Sequence, residues 1–398
     1  MNPNLSRLHP YPFEKLAQLK AGVVPPEHLS AISLGIGEPK HPSPEFVKQV
    51  IANNLHRLAN YPTTGGIPEL RQAISDWATR RFRLNPGTLS AEHHIVPVNG
   101  TREGIFSFVQ AAVDASGPAK VVSPNPFYQI YEGAAFLAGA TPHYLPCDAS
   151  NGFIPDFDAV PDHVWKECQI LFLCSPGNPS GAVIPRDVLT RVLELADRHD
   201  FIVASDECYS ELYPDENNPP EGLLQTCAAL GRDDYARCVV FHSLSKRSNL
   251  PGLRSGFVAG DARILKEFLR YRTYHGCAMP VHNQLASIAA WNDEDHVREN
   301  RAAYRAKFNA VVPMLKEVMD VDFPGAGFYL WPQTPMSDET FALELSARQN
   351  VHVLPGRYLS RTIDGYNPGE NRVRMALVAP LEECVEAAER IVRFVKDY

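Results

Sequence analysis

Apolar residues recur at helical spacing between Pro44 and Leu58, where Phe46, Val47, Val50, Ile51 and Leu55 share one face and Ser43 is placed to cap it. After the turn Tyr61-Pro62-Thr63-Thr64-Gly65-Gly66 the pattern predicts a second helix from Pro68 to Phe82. From residue 94 the rhythm changes. Short apolar runs at His94–Val98, Lys120–Val122, Ile170–Cys174, Phe201–Ser205 and Val239–His242 each end in small or polar residues and alternate with helical segments. Such runs predict a mostly parallel sheet wrapped by helices, because strands covered on both faces lose their polar alternation. Ligands of such sheets sit beyond the carboxyl ends of the strands. A long helical stretch follows from Asn283 to about Met319. Val321–Trp331, Val351–Leu354, Val373–Val378 and a C-terminal helix then read as a second, smaller unit.

Composition narrows the field. A chain of 398 residues holds two domains or one large α/β domain with an appendage. Hydrophobic residues at 44% and charged residues at 21% are ordinary globular values, which argues against disorder. The net charge of -8 speaks against nucleic-acid binding, which needs a basic face. No apolar run is long enough for a membrane span, and the start Met-Asn-Pro-Asn-Leu-Ser-Arg lacks an export signal, so a soluble cytoplasmic protein is expected. The 8 Cys contain no C-x-x-C pair, so no zinc site, other metal site or disulfide framework is expected. Gly35-Ile36-Gly37 and Gly325-Ala326-Gly327 lack the third glycine of a dinucleotide fingerprint, and no P-loop or H-E-x-x-H motif is present.

Candidate chemistry lies at the strand ends. Lys246 closes Phe241-His242-Ser243-Leu244-Ser245-Lys246. A lysine alone is ordinarily a solvated charge. Held beside hydroxyls at a strand end it can be desolvated, which lowers its pKa and frees the amine for Schiff-base chemistry. Ser243, Ser245 and Arg254 are donors that a phosphate monoester would use. Asp206 is either a turn carboxylate or a buried anion facing a ring nitrogen, with Tyr209 three residues on. Asn178 in Pro176-Gly177-Asn178-Pro179-Ser180-Gly181 is a turn residue or a ligand contact. Gly100-Thr101-Arg102 opens a helix, where backbone N–H groups suit an anion, although a helix cap explains Thr101 equally well.

Taken in order, Gly37-Glu38-Pro39, Tyr61 ahead of Thr64-Gly65-Gly66, Asn178-Pro-x-Gly, Asp206-x-x-Tyr209, Ser243-x-x-Lys246 and Arg254 resemble the fold-type I, pyridoxal-phosphate-dependent aminotransferases of the aspartate aminotransferase superfamily. The resemblance covers nearly the whole chain. It implies an α/β fold with a large domain on a mostly parallel seven-stranded sheet (46–283) and a smaller α+β domain (1–45 and 284–398). It implies that Lys246 carries the cofactor as a Schiff base and shuttles the proton, and that Asp206 pairs with the pyridinium nitrogen. Asn178 and Tyr209 would bond the ring's phenolic oxygen. Gly100, Thr101, Arg102, Ser243, Ser245 and Arg254 would hold the phosphate, and Tyr128 would stack on the ring with Phe127 as the alternative. Arg374 would clamp the substrate's α-carboxylate in preference to Arg372, with Gly37 beside the substrate, and Tyr61 would cross to the other subunit of a homodimer.

Gly37-Glu38-Pro39-Lys40-His41-Pro42 and Tyr271-Arg272-Thr273-Tyr274-His275-Gly276-Cys277-Ala278-Met279 are most similar to N-succinyl-L,L-diaminopimelate aminotransferases of lysine biosynthesis. Glutamate would then be the amino donor and N-succinyl-2-amino-6-oxopimelate the 2-oxo acid acceptor. Lys40, His41 and Arg7 are candidates for the distal carboxylate. Other aminotransferase specificities and C–S lyases share the pattern. A cofactor-sensing domain of a transcription regulator is disfavoured, because Gly37-Glu38-Pro39 comes too early for a preceding DNA-binding module.

Overall fold

The computed structural model describes all 398 residues. Its twelve strands are β1 (Ile32–Ser33), β2 (Ile95–Val98), β3 (Lys120–Asn125), β4 (Thr141–Pro146), β5 (Cys168–Cys174), β6 (Ile202–Asp206), β7 (Cys238–Ser243), β8 (Gly256–Gly260), β9 (Tyr329–Leu330), β10 (Val351–His352), β11 (Leu354–Pro355) and β12 (Val373–Ala376). Seven form the main sheet in the order β2-β8-β7-β6-β5-β3-β4, parallel except for β8, which runs antiparallel to both neighbours. The expected mostly parallel sheet is therefore present. Two of its strands were not expected. β4 carries Pro142, His143 and Pro146 at an edge, and β8 is only Gly-Phe-Val-Ala-Gly, so neither shows the long apolar run of a central strand.

Helices cover both faces. One face carries an apolar core around Trp77, Leu171, Leu193 and Trp291, and the other a core around Phe108, Tyr131, Phe172 and Phe241. A separate core joins Ile32 and Leu34 to Tyr304, Phe328, Val351, Met375 and Phe394. There β11-β12-β9 form a small antiparallel sheet, and β1 pairs with β10, so the N-terminal segment is stitched to the C-terminal unit.

Local expectations shift in several places. An α-helix at Pro12–Leu19 precedes the helix expected from Pro44, which spans Glu45–Asn53 with Pro44 at its cap, and Ser43 Oγ instead donates to Asn249 O at 2.9 Å. The stretch after Asn283 is two helices, Val281–Asn292 and Asp295–Leu315. The first of these straddles residue 283 and sends Ala286, Ala290 and Trp291 into the core around Trp77. No helix is long and apolar enough to cross a membrane.

Candidate active site

Strand register brings distant residues to one edge of the sheet. Val98 of β2 lies opposite Gly256 of β8, which lies opposite Ser243 of β7. The segments just beyond (Gly100-Thr101, Arg254 and Ser243–Lys246) therefore converge. Gly100 has φ +88 and opens the helix Thr101–Ala112, and a Cβ there would collide with the Arg254 guanidinium, so this approach needs glycine. Ser243 Oγ and Ser245 Oγ lie 3.0 Å apart, and Ser243 caps the short helix Leu244–Arg247. A helix N-terminus beside the Arg254 guanidinium, with two hydroxyls at the end of β7, is the donor set of an anion cradle. Two strands away, Cys174 pairs with Asp206 in register, which sets Asn178 and Asp206 at the same edge.

Thr101, Arg102, Asn178, Asp206 and Lys246 of these segments line one cavity of about 310 Å³ together with Gly37, Tyr128, Tyr209 and Arg374, whereas Gly100, Ser243, Ser245 and Arg254 stand outside its walls. Asp206 is 5% exposed. Tyr131 Oη donates to its Oδ2 at 2.8 Å and Cys208 N to its Oδ1 at 3.3 Å, with no cation in contact. Burial raises its pKa above the ordinary carboxylate value. Lys246 Nζ donates to Gly37 O at 2.5 Å, and burial, helped by the charge of Arg374, lowers its pKa to about 8. Arg374 Nη1 donates to Asn178 Oδ1 at 3.0 Å and Nη2 to Gly35 O at 2.9 Å, while its buried Nε has no protein partner. Tyr209 and Tyr329 hydroxyls meet at 3.0 Å.

Tyr128, not Phe127, faces the cavity, since Phe127 is buried against Tyr144. Arg372 lies outside β12, and its Nη1 reaches Trp331 O at 2.8 Å, away from the cavity that Arg374 enters. Arg102 is spread between Tyr128 Oη at 2.8 Å and Tyr11 Oη at 3.2 Å. Tyr61 is 103% exposed and does not line the cavity of its own chain. The distal-carboxylate candidates fail on position. Lys40 is exposed, His41 is turned toward Asn300 and Lys307, and Arg7 lies on the Phe136 ring, so none lines the cavity. Arg102 is the cation that does so besides Lys246 and Arg374.

Tyr131, Tyr329, Cys174 and Cys208 were missed. Only Tyr131 had a usable signal, lying one helical turn from Tyr128. Glu103, His275 and Cys277 converge within 4.8 Å, but Arg272 holds the Glu103 carboxylate and Cys277 accepts from Asn99.

The cavity fits pyridoxal phosphate on its own terms. A buried carboxylate without a cationic partner suits a protonated ring nitrogen, a low-pKa amine suits an aldehyde, and the Gly100–Arg254 cradle suits a phosphate. Fold and site together define a pyridoxal-phosphate-dependent aminotransferase. Residues 30–391 match the family described as aminotransferase class I and II, and the chain belongs to that family, whose members use this cofactor. It is 33% identical to an LL-diaminopimelate aminotransferase of Desulforudis audaxviator, over 97% of this chain and 96% of that one. Among solved structures, an aminotransferase from Neisseria meningitidis is 50% identical with a TM-score of 0.95, covering 99% of this chain and 100% of the other. A probable N-succinyldiaminopimelate aminotransferase from Thermus thermophilus is 26% identical with a TM-score of 0.84, covering 96% of this chain and 100% of the other.

Proposed function

We propose that this aminotransferase moves the amino group of glutamate to N-succinyl-2-amino-6-oxopimelate in diaminopimelate and lysine synthesis. The observation that carries the catalytic reading is the meeting of Lys246, Asp206, Asn178 and Arg374 in one cavity. When bound, the cofactor supplies an electron sink that makes the substrate's Cα proton acidic. Lys246 would hold it covalently through Nζ, and the same amine would carry the proton to and from the substrate's Cα. An amine near pKa 8 is about a tenth uncharged at pH 7, where an ordinary lysine is almost wholly charged, and that free fraction serves the duty. Asp206 would keep the ring nitrogen protonated, with Tyr131 orienting its carboxylate. Asn178 and Tyr209 would bond the ring's phenolic oxygen. Gly100, Thr101, Arg102, Ser243, Ser245 and Arg254 would hold the phosphate, and Tyr128 would cover the ring. Arg374, braced by Asn178 and Gly35, would grip the α-carboxylate with its planar fork, with Gly37 close to the substrate. A Cβ at Gly37 would strike the Tyr329 hydroxyl, so the close approach of that loop depends on glycine.

The division into a large domain over 46–283 and a small one over 1–45 and 284–398, and a cytoplasmic homodimer in which Tyr61 reaches the other subunit's site, belong to the same proposal. Exposure of the Tyr61 ring supports the latter. For the substrate, support comes from the segments 37–42 and 271–279 and from relatives named for diaminopimelate chemistry. The succinyl substrate competes with LL-diaminopimelate itself, the substrate in the names of the relatives at 31–33% identity. The experiment is amino transfer measured with the succinylated oxo acid and glutamate beside LL-diaminopimelate and 2-oxoglutarate, with oxaloacetate and an aromatic oxo acid as controls. A kcat/KM at least about tenfold higher for the succinylated pair, roughly 1.4 kcal/mol of transition-state preference, is expected. A preference for LL-diaminopimelate, oxaloacetate or the aromatic acid overturns the substrate reading and leaves the family.

A further inference from the structure

The loop Gly37–Ser43 is tied to the turn Lys246–Asn249 at three points. Lys246 Nζ donates to Gly37 O, Ser43 Oγ donates to Asn249 O, and His41 reaches the turn through Asn300. Asn300, Tyr304 and Lys307 project from one face of the helix Asp295–Leu315, and Asn300 and Lys307 are 4% and 2% exposed. Asn300 Nδ2 donates to Lys246 O at 3.3 Å and Arg247 O at 3.4 Å. Carbonyls only accept, so these bonds set the amide's orientation and leave Oδ1 as an acceptor. Oδ1 takes Asn249 Nδ2 at 3.0 Å and His41 Nδ1 at 2.7 Å, so His41 carries its proton on Nδ1. The bare Nε2 then accepts from Lys307 Nζ at 2.6 Å, and Lys307 also reaches Val378 O at 3.4 Å, four residues beyond Arg374. The His41 and Tyr304 rings lie 4.6 Å apart, tilted by 45°. The charged or titratable groups around it are Lys307 and Tyr304 from the helix, Lys40 from its own loop, and Cys384 near Lys307. No carboxylate bonds Lys307, so its proton must be shared with His41 and a backbone carbonyl.

We propose that His41 is a positioning residue for Lys246, acting through Asn300 to hold the backbone of the Lys246 turn against the Gly37 loop. It rests on the assignment of Lys246 above. Lys307 keeps His41 in the tautomer that donates to Asn300, and its bond to Val378 O ties the brace to the chain that follows Arg374. His41 thus serves the amine from behind, outside the walls of the cavity.

Two amides dissect the imidazole. His41→Asn places an N–H where Nδ1 was and keeps the bond to Asn300. His41→Gln reaches the Nε2 position, keeping Lys307 and losing Asn300. His41→Phe keeps the ring on Tyr304 and loses both. The readout is the pH titration of the visible absorbance of bound pyridoxal phosphate in the substrate-free holoenzyme, with kcat and KM for glutamate beside it. In His41→Gln and His41→Phe the titration midpoint should move by about half a unit or more, a change in how the Lys246 amine is held. In the same two variants kcat should fall about tenfold with KM changed less than about twofold. His41→Asn should return both to within about twofold of the wild type. An unmoved midpoint and kcat in whichever of Gln and Phe folds, or an Asn variant as impaired as Gln, overturns the proposal. The Lys246 reading is checked separately. If Lys246→Ala retains the wild-type titration, that assignment falls, whereas its loss in Lys246→Ala with no shift in the His41 variants defeats His41 alone.

Discussion

Lys246 and Lys307 are alike in pKa and in hydrogen bonding. Each is a lysine held by burial at a pKa of about 8, each donates to a backbone carbonyl, and neither is bonded to a carboxylate. Only Lys246 opens on the cavity shared by Asp206, Asn178 and Arg374. Lys307 spends its protons on His41 and Val378 O and does not line that cavity. A lowered pKa therefore measures desolvation, and chemistry requires in addition a reacting group within reach.

The comparison breaks most sharply at the amine itself. Lys246→Ala should lose turnover by roughly four orders of magnitude, since both the covalent anchor and the proton carrier go, while Lys307→Met should stay within about tenfold. Both are read by steady-state transfer from glutamate, and equal losses would make the two lysines functional equivalents. Asp206→Asn should slow the half-reaction by about two to three orders of magnitude with the fold intact, because an amide cannot hold the ring nitrogen protonated. Near-normal single-turnover rates would place another group at that nitrogen.

Arg374→Lys should lower kcat/KM by roughly tenfold to a hundredfold for donor and acceptor alike, since a point charge replaces the fork that grips the α-carboxylate both share. A loss confined to one substrate would move Arg374 off the shared carboxylate. Mixing Tyr61→Phe with Lys246→Ala protein under exchanging conditions should give more activity than the two parents together, approaching about a quarter of the wild type if half the dimers are mixed and each has one intact site. Demonstrated exchange without gain would put Tyr61 in its own subunit's site.

The smallest effect concerns Lys307 and stability. Its pKa of about 8 in the folded protein lies below its ordinary 10.5. Between those values the unfolded chain binds a proton that the folded chain does not, so wild-type stability gains from this group as pH rises from about 8 to 10.5 and carries the full penalty below 8. The melting temperature of Lys307→Met relative to wild type should therefore fall by a few degrees across that window, as expected for about a kcal/mol or more in a chain of this size. A difference that is flat or rises with pH would show that Lys307 is not held uncharged by burial.

Sequence alone was enough for five of the seven strands of the main sheet, and for Lys246, Asp206, Asn178, Arg254 and Arg374 as candidates. Apolar runs that end in small polar residues are local facts, and the stations after them survive in one order along the chain. Tertiary structure alone decided which candidates share a cavity. Register placed Val98, Gly256 and Ser243 side by side, although they are far apart in the chain. Arg372 and Arg374 have the same chemistry, and only packing separates the half-buried arginine held by Trp331 O from the one inside the cavity. His41 read as a carboxylate donor because its partners, Asn300 and Lys307, lie some 260 residues away, and no local pattern encodes a hydrogen bond closed by packing over that distance. The strands β4 and β8 escaped for the related reason that an edge strand with prolines and a glycine-bounded strand are stabilised by their neighbours and not by their own residues.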